Sequence, residues 1–383
     1  MKIALVNKVF SRRHGGGEKY ALDLAESLCR LGHHVDLLGH VIDDPPAGAV
    51  PLEIPLPQWS KSRKTLGFIR SVRRELTHRH YDIVYGMTPC YPVDVLFLGG
   101  GVWTHHMRVR YPSWLGRWYR YVVHPVQLTN ALVERRLYGR HMPRRVIANS
   151  ELGKGHLTRF YNVPGERIVV ARHGVDHHVF NPGMRALHRG PQRQALGLGD
   201  DELAVLFVGN NWRLKGVETI IRAAKVLCER GQAVRILIVG KGKPWQYESI
   251  AQKLGIKPCL MFLGHSSQVQ RYYAAADVFA LPTRYDPFAV VTLEAMACGL
   301  PAITSIHNGA AEVIQHGVTG MVMQEPDDWR TLADHLMALG DAGLRAKLGA
   351  AAAQTAQPFT HEANARAVAE VFQDVMRERE CGI

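Results

Sequence analysis

Cysteine is sparse in this chain. Six residues in 383, Cys29, Cys90, Cys228, Cys259, Cys298 and Cys381, follow neither a metal-ligand spacing nor a disulfide framework. A structural zinc site and an oxidised secreted scaffold are thereby excluded, and a reducing compartment is the simplest home. Long apolar runs are also missing: none approaches the roughly 20 residues that a membrane span needs. The opening "MKIALVNKVF" has only a short apolar run before Asn7 and reads as a first strand, not a leader peptide. There is no tandem repeat, and no low-complexity tract beyond "GAAAAQTAQ" near the C-terminus.

Negative charge is scarce in one half only. Residues 1–180 carry 26 Lys and Arg against 14 Asp and Glu, and the remainder 21 against 20, within a net charge of +13. A basic first half suits an acidic surface, either anionic lipid or nucleic acid, and a neutral second half suits a small ligand.

What is present is a repeated alternation. In the first half "KIALV", "HVDLL", "YDIVYG", "VDVLFLGG" and "RRVIANS" read as strands, and "GEKYALDLAESLCRLG" as an amphipathic helix. In the second, "LAVLFVGN", "VRILIVGKG", "LMFLGH", "DVFALP" and "PAITS" are strands separated by helices such as "GVETIIRAAKVLCERG". Strand and helix alternating twice over predicts an α/β protein with two parallel, doubly wound sheets. The join falls near "ARHGVDHHVFNPGMRALHRGPQ", so the expected domains are 1–175 and 176–360, followed by a terminal helix over 361–380.

In such sheets ligands bind beyond the carboxyl ends of the strands, and four loops there have suitable chemistry. In "SRRHGGGEKY", Gly15 and Gly16 let the backbone approach a phosphate or sugar, although a tight strand-to-helix turn would look the same. In "VGNNWRLKGVETI", Arg213 and Lys215 straddle a helix start, where two cations and a helix dipole suit a diphosphate; a solvated basic loop is the alternative. In "RYDPFAVVTLEAMACGLP", Asp286 reads as an N-cap with Pro287 at the first helical position. That reading leaves Glu294, two turns in among apolar neighbours, as a buried carboxylate in need of a partner. Asp286, Glu294 and the amides of Phe288 and Ala289 would then face one cleft, and the carboxylates would accept sugar hydroxyls. In "TSIHNGAAEVI", Asn308 and Gly309 occupy the next strand-to-helix loop.

Together these residues resemble the family-4 glycosyltransferases of GT-B fold, over nearly the whole chain. The family's carboxylate, seven residues, carboxylate motif matches Asp286 to Glu294, followed by "EAMACGLP" and "NGAAEVIQHGVTG"; "GGGEKY", "ANSELGKGHL" and "HGVD" match the first half and the approach to the linker. Lipopolysaccharide-core glucosyltransferases and relatives acting on lipid-linked acceptors are the most similar branch. The resemblance implies two Rossmann-like domains facing across a cleft, acceptor in the first and donor in the second, with the 361–380 helix crossing back onto the first. It implies transfer of a hexose from a nucleotide-diphosphate sugar, UDP-glucose being the usual type, with retention. Glu294 would hold the ribose, Asp286 the donor sugar, Lys215 and Arg213 the diphosphate, and Gly15 and Gly16 would make room at the cleft.

Departures from the pattern are specific. Most members have Glu at position 286, many have Gly at 289, and the family's arginine directly follows the strand, where this chain has Asn210. On the acceptor side, "FLGGGVWTHHMRVRYP" places Gly100 and Trp103 where a histidine or aspartate is expected; His105 is the candidate, a surface histidine among 20 being the alternative. No Asp-x-Asp triplet occurs, so no metal and no other cofactor is expected, and fixed cations and dipoles would stabilise the leaving diphosphate.

Two basic stretches complete the reading. "KSRKTLGFIRSVRRELTHRH" and "MRVRYPSWLGRWYRYVVHPV" interleave arginine with apolar and aromatic residues, the composition of an interfacial segment. They suit an anionic membrane surface or a lipid acceptor's phosphates, hence a cytoplasmic protein peripheral to the inner face of the cytoplasmic membrane. A solvated basic face over core aromatics is the bland alternative. Nucleic acid is the rival partner, unsupported by any recognised motif, and nucleotide-sugar binding without turnover is the third reading.

Overall fold

The computed structural model describes residues 1–13, 15–56 and 60–381. Its chain divides into two compact units, Met1–Gly174 with His361–Ile383, and Val175–Thr360.

The first unit starts with β1 (Lys2–Val6), β2 (Val9–Phe10), α1 (Gly16–Arg30), β3 (His34–Gly39), β4 (Val41–Ile42) and β5 (Ala49–Glu53). It continues with α2 (Lys61–His78), β6 (Ile83–Gly86), β7 (Val95–Leu98), α3 (Trp103–Arg110), α4 (Trp114–Val123) and α5 (Pro125–Gly139). β8 (Arg145–Ala148), α6 (Glu151–Tyr161) and β9 (Ile168–Val170) complete the run. Seven strands form one parallel sheet in the order β5-β3-β1-β6-β7-β8-β9, with Ile3 opposite both Val35 and Ile83. Because side chains alternate along a strand, Ile3 and Leu5 enter the cluster holding Tyr20, Leu24 and Phe372, while Ala4 and Val6 enter the one holding Phe68 and Val133. Both faces are therefore covered, which is why the strands read as unbroken apolar runs.

The second unit comprises α7 (Pro182–Ala195), β10 (Leu203–Val208), α8 (Val217–Glu229), β11 (Val234–Val239), α9 (Pro244–Lys253), β12 (Leu260–Gly264) and α10 (Gln270–Ala275). β13 (Val278–Leu281), α11 (Val290–Ala297), β14 (Ala302–Ser305), β15 (Gly320–Met323), α12 (Trp329–Ala338) and α13 (Ala342–Ala356) follow. The last helix, α14 (His361–Glu380), belongs to the first unit, where Tyr20 donates its hydroxyl to Asn364 Oδ1 at 3.0 Å and Phe372 lies edge-on to Tyr85. The second sheet is parallel in the order β12-β11-β10-β13-β14-β15. In each sheet the first strand of the unit lies centrally and the order reverses there, between β1 and β6 and between β10 and β13. Both sheets are doubly wound, as the alternation predicts, and each has its crevice at that switch point.

Candidate functional site

The loop that follows β10 is anchored by an aromatic residue. Trp212 is buried, donates its indole N–H to the Gly209 carbonyl at 3.0 Å, stacks on Phe262 and meets Tyr247 edge-on. The loop then turns through Asn211, at a left-handed φ of 55°, and Gly216, at φ 81°. A Cβ on Gly216 would stand 2.1 Å from the Pro282 carbonyl oxygen, so only glycine allows this loop to lie against the one after β13.

That approach brings Lys215 to Asp286. Their side chains form an ion pair and hydrogen bond, with 19% and 14% of their surface exposed. Burial lowers the Lys215 ammonium from its ordinary value to about 7.

Asp286 is not the N-cap that its local sequence suggests. Its amide donates to the His307 carbonyl and its carbonyl accepts from the Gly309 amide, each at 2.9 Å, forming a parallel bridge with Asn308. This pairing holds the segment extended, and α11 starts only at Val290, with Ala289 as its uncapped boundary. Glu294 consequently lies one turn into the helix and not two.

Asn308 organises the site from within. Its buried Oδ1 accepts from the amides of Ala289 and Ala310, each at 3.0 Å, and its Nδ2 donates to Thr292 Oγ1 at 3.1 Å and Thr304 Oγ1 at 3.0 Å. With all four bonds made inside the protein, Asn308 is a positioning residue. Phe288 donates its amide to Asp286 Oδ1 at 3.2 Å, and Gly309's amide serves the bridge. The amides expected to meet phosphate, those of Phe288 and Ala289, are thus already engaged. Among the described residues the next two, on half-buried Val290 and Val291, have no acceptor, so the open helix N-terminus is displaced by two residues.

Glu294 is half-buried, and its partner comes from the protein. Tyr273, buried on α10, donates its hydroxyl to Glu294 Oε2 at 2.9 Å and stands 3.1 Å from the Val291 carbonyl. Arg213 is exposed; its backbone carbonyl accepts from Arg284, which also pairs with Asp327. The structure therefore gathers Lys215, Asp286, Phe288, Ala289, Asn308 and Gly309 at the carboxyl ends of β10, β13 and β14.

Three candidates lie in the first unit. Gly15 is the boundary residue of α1 and Gly16 its first residue; that helix start has no side-chain cap, and a Cβ on Gly16 would meet nothing within 4 Å. His105, on α3, is not a lone surface group: its ring stacks on His156 with centroids 3.9 Å apart and approaches Phe160. Its helix is held by Glu134, whose buried carboxylate accepts from the amides of Trp103 at 2.7 Å and Thr104 at 3.2 Å and from the Tyr161 hydroxyl at 2.7 Å. Burial pushes the Glu134 carboxyl up from its usual range, against the pull of those donors.

Sequence reasoning missed Trp212, Tyr273 and Glu134. Trp212 had a signal, a large aromatic inside a polar Asn- and Gly-containing loop, where it needs a buried seat. Tyr273 and Glu134 had none, because nothing in the local sequence of α10 or α5 marks either residue.

Comparison with known proteins gives a consistent family. The pattern "Glycosyltransferase Family 4" matches residues 14–179, and "Glycosyl transferases group 1" matches residues 189–355. A D-inositol 3-phosphate glycosyltransferase of Corynebacterium kroppenstedtii is 30% identical over 247 residues, covering 61% of this chain and 54% of that protein. The chain thus spans about half the length of that curated relative. Among solved structures, WaaG, a glycosyltransferase involved in lipopolysaccharide biosynthesis, superposes with a TM-score of 0.82 at 22% identity over 97% of this chain and 99% of its own. HepE of Anabaena, in complex with UDP, superposes with a TM-score of 0.73 at 20% identity over 98% and 100%. The fold is GT-B.

Proposed function

The chain belongs to the family-4 glycosyltransferases, and we propose that it moves a hexose from a nucleotide-diphosphate sugar, a UDP-sugar by preference, to a lipid-linked or lipopolysaccharide-type glycan. The observation that carries this reading is the Lys215–Asp286 pair at the switch point of the second sheet. When the donor enters, its diphosphate takes Lys215, the α11 amides of Val290 and Val291, and the exposed Arg213, which lies two residues before Lys215 in the chain. Asp286, released from the pair, accepts a hydroxyl of the donor sugar, and Glu294, oriented by Tyr273, accepts from the ribose.

The same groups stabilise the charge that develops on the leaving diphosphate, as fixed donors that need no reorganisation during reaction. No metal is required in this scheme. Transfer proceeds with retention, with the leaving phosphate taking the acceptor's proton, and no enzymic nucleophile is assigned. His105 belongs to the acceptor side. HepE's complex with UDP supports the choice of base, and WaaG's part in lipopolysaccharide biosynthesis supports the acceptor class. The basic first half and the scattered free thiols support a place at the inner face of the cytoplasmic membrane.

The test is thermal stabilisation by UDP, GDP, ADP and their sugars in the presence of EDTA. A ligand that binds the folded state raises the midpoint according to its affinity and concentration. A shift with UDP and one UDP-sugar is expected, and it shrinks in Lys215→Ala. No shift with any nucleotide would overturn the reading.

A further inference from the structure

Two cysteines 31 residues apart in the chain meet within the second unit. Cys228 lies in the last turn of α8, and Cys259 closes the short 3-10 turn Lys257–Cys259 that leads into β12; their sulfurs stand 3.5 Å apart. The backbone is held on both sides of the contact. The Cys228 carbonyl accepts from the amide of Gly231, which turns the chain at φ 78°, and the Cys259 amide donates to the Ile256 carbonyl at 2.9 Å. Arg235 on β11 donates to the Pro258 carbonyl at 2.9 Å and so ties this turn to the sheet.

Both side chains are half-buried, which leaves them within reach of a small reagent, whereas Cys90 and Cys298 are buried. Among the described residues this is the one pair of thiols in contact. No group of three or more His, Cys, Asp and Glu among the described residues could hold a metal ion, so the pair lacks the further ligands that a structural zinc takes. Burial first, and then the neighbouring sulfur, push the Cys228 thiol up to about 11, with Lys225 pulling the other way. At neutral pH the reduced pair therefore reacts slowly, through a small thiolate fraction.

We propose that Cys228 and Cys259 are a redox-active dithiol, which a small-molecule disulfide such as oxidised glutathione converts to an intramolecular disulfide that locks the end of α8 to the start of β12. From 3.5 Å the sulfurs need to close by only about 1.5 Å to reach bonding distance. One cysteine thiolate attacks a sulfur of the reagent, expels one glutathione thiolate and leaves a mixed disulfide on the protein. The second cysteine thiolate attacks the protein sulfur of that intermediate and expels the other glutathione. Two electrons pass from the pair to the reagent, and the two expelled thiolates take up the two protons that the cysteines lose. α8 starts two residues after Lys215 and ends at the dithiol, so the bond anchors the far end of the helix that follows the Lys215 loop. Cross-linking positions 31 apart restricts the unfolded chain and stabilises the fold. The dithiol is thus a stability lock that closes under oxidation, and it does not depend on the reaction proposed above.

The test is made on the full chain carrying C381S, which removes the exposed thiol and with it a route to linked chains. Equilibrated with oxidised glutathione, this protein should lose two free thiols and give a peptide pair joined through Cys228 and Cys259 on non-reducing digestion. Its thermal midpoint should rise by about 5 °C or more over the reduced form, and dithiothreitol should return it. C228S and C259S on the same background should keep the reduced midpoint and show no rise on oxidation. Glutathione held on either cysteine with no Cys228–Cys259 peptide, a Cys228–Cys259 bond that leaves the midpoint unchanged or lowers it, or an equal rise in C228S would overturn the inference.

Discussion

Lys215 and Asp286, 71 residues apart in the chain, form an ion pair at the carboxyl edge of the second sheet, where the loop after β10 is pressed against the loop after β13. Gly216 makes that approach possible, and Trp212 keeps the loop in place. Under the proposed function the carboxylate holds the place that a diphosphate takes in the complex, beside a lysine that loses its water on folding.

A pH dependence follows. Burial lowers Lys215 to about 7, and only its protonated form neutralises a diphosphate. Above that value the free protein must take up a proton in order to bind, so affinity for UDP should fall by up to about tenfold per pH unit, as titration of a single group requires. Below it, affinity should level off. Isothermal titration from pH 6 to 9 should show this slope in the wild type, and a weaker, flat affinity in Lys215→Met. An equal slope in both proteins would assign the proton elsewhere.

Asp286→Asn separates the two functions of the carboxylate. The substitution removes Lys215's competitor for the diphosphate, so at a pH low enough to keep Lys215 protonated UDP should bind equally well or more tightly. Transfer should nevertheless slow by about 10²-fold or more, the scale seen when one preorganised polar contact is lost from a reacting centre. Steady-state kinetics alongside UDP binding would check both; a parallel loss of the two would mean that Asp286 serves only to hold the loop.

Tyr273→Phe tests how Glu294 is oriented. It removes the hydroxyl that reaches Glu294 Oε2 and leaves a half-buried carboxylate short of one donor, which should cost about 1–3 kcal/mol of stability. The same change should raise the KM for the donor with little effect on kcat, since a ribose contact is made equally in ground and transition states. Urea unfolding and donor titration provide the two readings.

Asn308→Ala should be the most destabilising of these changes, because it breaks four buried hydrogen bonds at once beside the backbone bridge that holds Asp286 extended. A loss of about 2–4 kcal/mol is expected. Asn308→Asp keeps the two acceptor bonds and forfeits the donors to Thr292 and Thr304, so it should fall between. Denaturant midpoints for the three proteins give the order.

Gly16→Ala should behave oppositely. A Cβ there meets nothing, and the residue opens α1, so alanine should raise stability by about 0.5–1 kcal/mol through helix propensity and chain entropy. If the glycine is there for the close approach of a substrate, transfer should drop while stability rises. Thermal unfolding and a transfer assay on one preparation would show the split.

Several of the site's features were legible without the structure because they depend on local periodicity. The alternating apolar runs and amphipathic helices predict two doubly wound sheets, and the loops after their strands are where Lys215, Asp286, Asn308 and Gly309 are found. The start of α11 was not legible. Asp286-Pro287 has the local signature of an N-cap and first turn, and only the bridge to Asn308 draws it out of the helix. Nor did composition distinguish α2 from α4, since both interleave arginine with large apolar residues and only one buries them.

By itself, then, the sequence determined the architecture, the charge asymmetry and the set of loops able to carry chemistry, because short-range pattern dictates which face of each strand and helix must leave water. Tertiary structure decided which groups in those loops remain available. The amides of Phe288 and Ala289 are satisfied internally, those of Val290 and Val291 have no acceptor among the described residues, Lys215 pairs with Asp286, and α4 turns its aromatic face outward. Each of these outcomes depends on partners many residues away, and a hydrogen bond or ion pair is settled only when both groups have been brought to the same place.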